Sequence, residues 1–208
     1  MARPTAGASA VLAVVLALAA CASPPGPQSA PAPTPTATVR PTPAVEVPIA
    51  AATAAPVRKR VAPERVVIDA LGIDVPVVPV GVEKGGFMEL PDDPAVAGWY
   101  RFGSDPDSAE GSTVISAHID APQYPIGPFS RLRDLATGQA VEVIDAAGDA
   151  HRYRVDSVTY YPKAELPAGD LFERDGAPAL VLITCGGAFD ARTGHYDDNV
   201  VVIATPTS

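Results

Sequence analysis

One cysteine and three histidines are the residues of this chain best suited to nucleophilic chemistry. Cys185 follows the apolar run Leu180-Val181-Leu182-Ile183-Thr184 and precedes Gly186-Gly187. A continuous apolar run bounded by glycine predicts a buried strand. The paired glycines allow a sharp turn and open backbone approach beside the thiol. A thiol so placed is held still at the rim of a sheet, yet can meet a substrate. The position alone also fits a small core hydrophobe, the usual state of a free cysteine.

A thiol becomes a useful nucleophile when a base or imidazolium stands near it. His118 ends the strand-like segment Thr113-Val114-Ile115-Ser116-Ala117 and opens the irregular stretch Ile119-Asp120-Ala121-Pro122-Gln123-Tyr124. That is the same strand-to-loop position that Cys185 holds. The two lie 185 − 118 = 67 positions apart and meet only if their strands run side by side and present the same rim. His195, in Thr193-Gly194-His195-Tyr196, reads as a surface-loop residue that could reach back. His151, inside an alternating segment beside Arg152, reads as solvent-facing.

The elements that must position these groups occupy the last two thirds of the 208 residues. Residues 1–20 read as a targeting segment, with Arg3 ahead of the apolar stretch Ala6–Ala20. That stretch is shorter than the ~20 residues a spanning helix needs and suits a signal-peptide core. It ends in Leu18-Ala19-Ala20-Cys21, which resembles the bacterial lipoprotein box and marks Cys21 for lipidation. With Cys21 lipidated, Cys185 is the last thiol of an exported protein and has no disulfide partner in the chain. An exported protein gains little from an unpaired thiol and risks its oxidation, so a chemical role is favoured.

Residues 21–62 are rich in Pro, Ala, Thr and Ser and cannot bury enough apolar surface to fold. At ~3.1 Å per residue they form a semi-stiff spacer on the order of 100 Å long. Arg58-Lys59-Arg60, where the spacer meets the domain, reads as a solvated boundary. Residues 63–206 form one folded domain. Strand signals fall at 65–69, 75–80, 111–117, 140–144, 149–158, 179–184 and 199–204, with turn signals between them. Pro76 and Pro79 place the second on an edge or bulge. The clearest helical turn is 130–136. The fold class is therefore mainly β, a mostly antiparallel barrel or sandwich with short helices in its connections. The net charge of −9 argues against a nucleic-acid partner, since no basic surface neutralises phosphates.

Taken together, Leu182-Ile183-Thr184-Cys185, the strand-end His118 and the closing Asn199-Val200-Val201-Val202 resemble a sortase, a cysteine transpeptidase of Gram-positive cell surfaces. Pro91 followed by Ala97-Gly98-Trp99-Tyr100, Phe129-Ser130-Arg131-Leu132, Cys185-Gly186-Gly187-Ala188-Phe189-Asp190 and Tyr196-Asp197-Asp198-Asn199 resemble the actinobacterial class called F. The resemblance implies an eight-stranded barrel, which the lipid expected on Cys21 would hold at the outer face of the cytoplasmic membrane. It implies that Cys185 attacks a Leu-Pro-X-Thr-Gly-like (LPXTG-like) sorting signal and forms a thioester. His118 then protonates the leaving amine and activates an amine acceptor, such as one from peptidoglycan or a pilin. No cofactor or metal is required, because the thioester conserves the bond energy.

A third group, an arginine in other classes, falls at or beside Asn199, which carries no charge. Arg131 and Arg192 are the candidate substitutes, with Arg131 favoured, and Thr184 is a candidate hydroxyl or amide donor. Ala117 stands where relatives usually have glycine, so the loop after His118 is expected to be set differently. Trp99 and Tyr100 fit either the groove wall or, more ordinarily, the core. Two other readings compete. A different wall-directed cysteine peptidase or transpeptidase is disfavoured because Ile183-Thr184 precedes Cys185 and because His118 precedes the cysteine. A lipid-tethered, non-enzymatic wall-binding β-domain fits the leader and spacer equally well.

Overall fold

The computed structural model describes residues 58–207; the leader, Cys21 and most of the spacer lie outside the described residues. Eight strands are formed among them: β1 Pro63–Ile68, β2 Ile73–Val80, β3 Ala97–Tyr100, β4 Ser112–Ser116, β5 Ala140–Asp145, β6 Ala150–Pro162, β7 Ala179–Asp190 and β8 His195–Pro206. They close into a barrel in the order β1-β2-β3-β4-β7-β8-β6-β5. The connections carry 3-10 turns at Asp69–Leu71, Pro128–Asp134 and Lys163–Glu165 and one short helix, α1, at Ala168–Leu171. The expected mainly-β barrel with short helices is thus observed. Most pairings are antiparallel, but β2 pairs β3 and β4 pairs β7 in parallel.

Burial explains the composition of the strands. The interior is filled by Val66, Ile68, Val75, Val77, Ile115, Phe129, Leu132, Val141, Val143, Leu180, Leu182, Val200 and Val202. A second cluster on the outer face joins Val114, Leu171, Val181, Ile183 and Val201, with Leu166 and Phe172 packed against it. Strand β7 is therefore covered on both sides, with residues 180 and 182 inward and residues 181 and 183 outward. A run with no polar alternation is what such a strand requires.

Several sequence expectations are corrected. Strand β3 was not signalled, because four residues including a glycine carry too little periodicity. Strand β2 is not an edge strand. Its Ile73–Pro76 half pairs β1 and its Val77–Val80 half pairs β3, so each half has a registered neighbour on one side only, and Pro76 and Pro79 are tolerated. Strand β7 runs past Cys185 to Asp190 across a register shift between Gly186 and Phe189. Gly187 takes φ +76° in that bulge, and a Cβ there would lie 2.4 Å from Asp198 Oδ2. His195 accordingly begins β8 opposite Asp190 rather than lying in a loop. His151 is half-buried, with Nε2 2.8 Å from Asp145 Oδ2, rather than solvent-facing.

The folded body reaches upstream of residue 63. Arg58 donates to Asp105, Asp107 and Ser108, and the Val61 amide donates to Asp105 Oδ2 at 3.0 Å. Ala62 packs against the interior. Burial pushes the Asp105 carboxyl up, but the bonds from Arg58, Ser108 and the Val61 amide outweigh it and hold its pKa below the ordinary aspartate value. A depressed carboxyl stabilises the fold above the unfolded-state pKa of about 4 and loses that contribution as pH falls through the folded value. Asp105→Asn should therefore destabilise the domain by about 1–3 kcal/mol in urea unfolding at pH 7. The gap from wild type should begin to narrow as pH falls below about 4, where the unfolded-state carboxyl takes up a proton, and close as pH falls through the lower folded-state value.

Candidate active site

The parallel pairing of β4 with β7 decides which side chains meet. Its register runs Ser112↔Ala179 through Ser116↔Ile183, a constant offset of 183 − 116 = 67. The same difference separates His118 from Cys185. Beyond the last registered pair, the Ala117 amide still donates to the Ile183 carbonyl at 3.2 Å, so His118 comes level with Cys185. Successive residues of a strand alternate faces, which puts Cys185 on the outer face with Val181 and Ile183, and His118 on that of Val114 and Ser116. Both residues are half-buried. Both line one groove of about 710 Å³, together with Asp120, Tyr124, Lys163 and Tyr196.

Cys185 also borders a second, mainly apolar groove of about 1080 Å³ whose walls include Phe87, Met88, Leu90, Tyr100 and Phe172. Lys163 and His195 are shared by both grooves. The sulfur therefore stands where a polar groove and an apolar one adjoin. Of the tryptophan–tyrosine pair, Trp99 is core, its Nε1 donating to the Ser104 carbonyl at 3.0 Å. Tyr100 is groove wall, its ring set edge-on to Phe172 with centroids 5.2 Å apart.

The backbone under His118 is pinned from two directions. The Thr184 hydroxyl donates to the Ala117 carbonyl at 2.8 Å, and the Ser116 hydroxyl donates to the Ile183 carbonyl at 2.9 Å. Ala117 is itself buried within the interior cluster, so its methyl fills core while both of its peptide groups are bonded. The loop that follows is closed by the Gly127 amide on the Ile119 carbonyl at 2.8 Å. Tyr196 of β8 donates to Asp120 Oδ2 at 2.5 Å, which ties that loop to the far hairpin. This bond, with burial, pushes the Tyr196 phenol up to about 12, so it stays a donor at physiological pH.

Burial, and the negative charge of Asp120, push the Cys185 thiol up. Lys163 opposes them, being near enough to favour the thiolate by charge and by hydrogen bonding. A thiol in such a setting reacts as a nucleophile only when a neighbouring group takes its proton. The imidazoles lining that groove are those of His118 and His195.

The four remaining sequence candidates part company here. Asn199 is the registered partner of Cys185 across β7–β8 and lines the apolar groove. Thr184 is buried, with its hydroxyl spent on Ala117, so it positions the histidine's strand end instead of offering that hydroxyl to a substrate. Arg131 donates to the carbonyls of Leu71 at 2.7 Å and Gly72 at 3.2 Å and lines neither groove. Arg192 sits on the β7–β8 turn with its side chain 87% exposed and bonded to Asp190, and also lines neither. Lys163, Asp120 and Tyr196 were not singled out by the sequence. Lys163 follows the last residue of β6, and only the register Tyr161↔Asn199 brings it alongside Cys185.

The family description Sortase domain matches residues 66–207. No curated protein sequence matches the chain. Among solved structures, the fold is similar to Group B Streptococcus Pilus Island 1 Sortase C2 (TM-score 0.53, 19% identity, covering 69% of this chain and 73% of that one). It is also similar to sortase C from Clostridium perfringens SM101 (TM-score 0.51, 17% identity, 69% and 68%). For sortase C-1 from Streptococcus pneumoniae the values are TM-score 0.53, 21% identity, 70% and 66%. At these identities the likeness is one of fold.

Two outcomes follow from the geometry. Arg131→Gln and Arg192→Gln should leave the rate at which iodoacetamide modifies Cys185 unchanged. Thr184→Val, which strands the buried Ala117 carbonyl, should cost about 1–3 kcal/mol in urea unfolding.

Proposed function

The chain belongs to the sortase family, and from that membership we propose that it is a cell-surface cysteine transpeptidase. In this reading Cys185 is the nucleophile and His118 the general acid and base. The Cys185 sulfur, its proton passed to His118, attacks the carbonyl carbon of threonine in a Leu-Pro-X-Thr-Gly-like signal. The tetrahedral adduct collapses, the bond to the glycine nitrogen breaks, and His118 returns the proton to that leaving amine. An incoming amine then attacks the thioester carbonyl, giving up its proton to His118, and the thiol is restored. Water in place of the amine gives hydrolysis. The thioester keeps the energy of the broken peptide bond, so the exchange is nearly isoenergetic.

The observation that carries this reading is the shared groove of Cys185 and His118, reached through one strand register. The apolar groove beside the sulfur supports binding of the leucine and proline of such a signal, and the polar groove supports entry of an amine. Within the family, the motifs around Trp99, Phe129 and Cys185 support the actinobacterial class F. The Cys21 box supports a lipid anchor, and the spacer an outer-face location reaching toward the wall.

The test is cleavage and ligation of fluorogenic sorting-signal peptides in the presence of a glycine-based amine. Cys185→Ala and His118→Ala should each remove product formation, the histidine change by at least about 10²-fold, while near-native unfolding curves persist. Turnover that survives either substitution undiminished would dismiss the mechanism. Release of cleaved stem peptides from muropeptides, with sorting signals untouched, would point to a different wall-directed enzyme.

A further inference from the structure

Acyl transfer at Cys185 creates negative charge twice, first on the sulfur and then on the carbonyl oxygen of the tetrahedral adduct. Both must be offset inside a partly buried groove. The groups that share the polar groove with the sulfur come from several connections of the barrel. His118 and Asp120 come from the loop after β4, Asp92 from the segment before β3, Lys163 from the turn after β6, and His195 and Tyr196 from β8. Two are carboxylates, which work against an anion. The residue registered directly opposite, Asn199, is neutral. Among the described residues, Lys163 is the sole lysine or arginine lining either groove.

We propose that Lys163 is the catalytic cation of this site, holding the negative charge of Cys185 and then that of the carbonyl oxygen. Its place in the fold suits both tasks. Strand β6 pairs with β8 up to Pro162↔Asp198, so the next residue leaves the sheet one strand away from the Cys185–Asn199 pair. The turn it begins, Lys163–Glu165, leads into Leu166 and α1, which cover the outer apolar cluster. A four-carbon stem rooted there carries a compact ammonium over the junction of the two grooves. That ammonium shares both grooves with the sulfur and favours its thiolate by charge.

In the reaction, the thiol proton goes to His118, the sulfur–carbon bond forms, and the carbonyl electron pair moves onto oxygen. Lys163 donates a hydrogen bond to that oxygen without giving up its proton. Collapse re-forms the carbonyl, breaks the carbon–nitrogen bond and frees the amine with the proton from His118. The second half of this role rests on the sortase reading; the first half does not.

The experiment measures iodoacetamide modification of Cys185 against pH with no peptide present, in full-length wild type, Lys163→Gln and Lys163→Arg. Loss of the cation should move the midpoint of the Lys163→Gln profile to higher pH. Lys163→Arg should bring it back toward wild type, and added salt should shrink the difference because the pair is partly exposed. With a sorting-signal peptide, kcat of Lys163→Gln should fall about 10²–10³-fold, with a smaller change in KM. A midpoint that does not move in Lys163→Gln overturns the proposal whatever happens to turnover, since a purely structural role leaves the thiol's titration alone. A midpoint that moves in a protein that turns over no peptide upholds the charge role and instead removes the sorting-signal reading.

Discussion

The parallel pairing of β4 with β7 is the constraint on which the site depends. Parallel strands pair with evenly spaced bonds and cannot be joined by a tight hairpin, so a long excursion separates them in the chain. Here that excursion carries β5, β6 and the turns between, and its length appears as the offset of 67 that every registered β4–β7 pair shares. One residue of slip would turn the cysteine or the histidine to the opposite face of the barrel. Bonds specific to this register oppose the slip: the Thr184 hydroxyl donates to the Ala117 carbonyl and the Ser116 hydroxyl to the Ile183 carbonyl, and a shifted strand would leave these buried groups unpaired.

Burial creates the electrostatic problem that the site has to solve. A thiol at the edge of an apolar layer resists ionisation, and the nearby carboxylate of Asp120 adds to that resistance. Asp120 is nevertheless built in, because it accepts the Tyr196 hydroxyl and so joins the loop after His118 to β8. Rigidity on one side of the groove is thus gained at some cost in thiol acidity. The positive charge of Lys163, delivered from a third strand end, offsets part of it. Three separate connections of the barrel converge on one sulfur, which makes the arrangement sensitive to strand register and insensitive to the surface arginines.

Much of this was legible in the sequence. Seven of the strands announce themselves as apolar or alternating runs, and Cys185 and His118 are recognisable as groups where such runs give way to irregular chain. What could not be read is anything that depends on register. Lys163 and Asn199 are 36 positions apart (199 − 163), and nothing local shows that β6 and β8 bring them together. Thr184 looked like a substrate-facing hydroxyl because it adjoins the nucleophile, but strand alternation turns it inward to Ala117. Arg131 followed a motif close after His118, yet its guanidinium is taken by the carbonyls of Leu71 and Gly72. The two prolines of β2 misled for a related reason, since a strand that changes partners halfway carries edge-like positions without being an edge.

In the proposed reaction the sulfur at position 185 carries an acyl group in a groove it shares with the imidazole at position 118. Mass spectrometry of the intact protein, quenched in acid during turnover of a sorting-signal peptide and then digested, tests it most directly. An adduct with the mass of the peptide's N-terminal acyl fragment is expected on the segment containing Cys185, discharged when a glycine amine is added. Product formation with Cys185 unmodified at every time point, or an adduct on another residue, would contradict it.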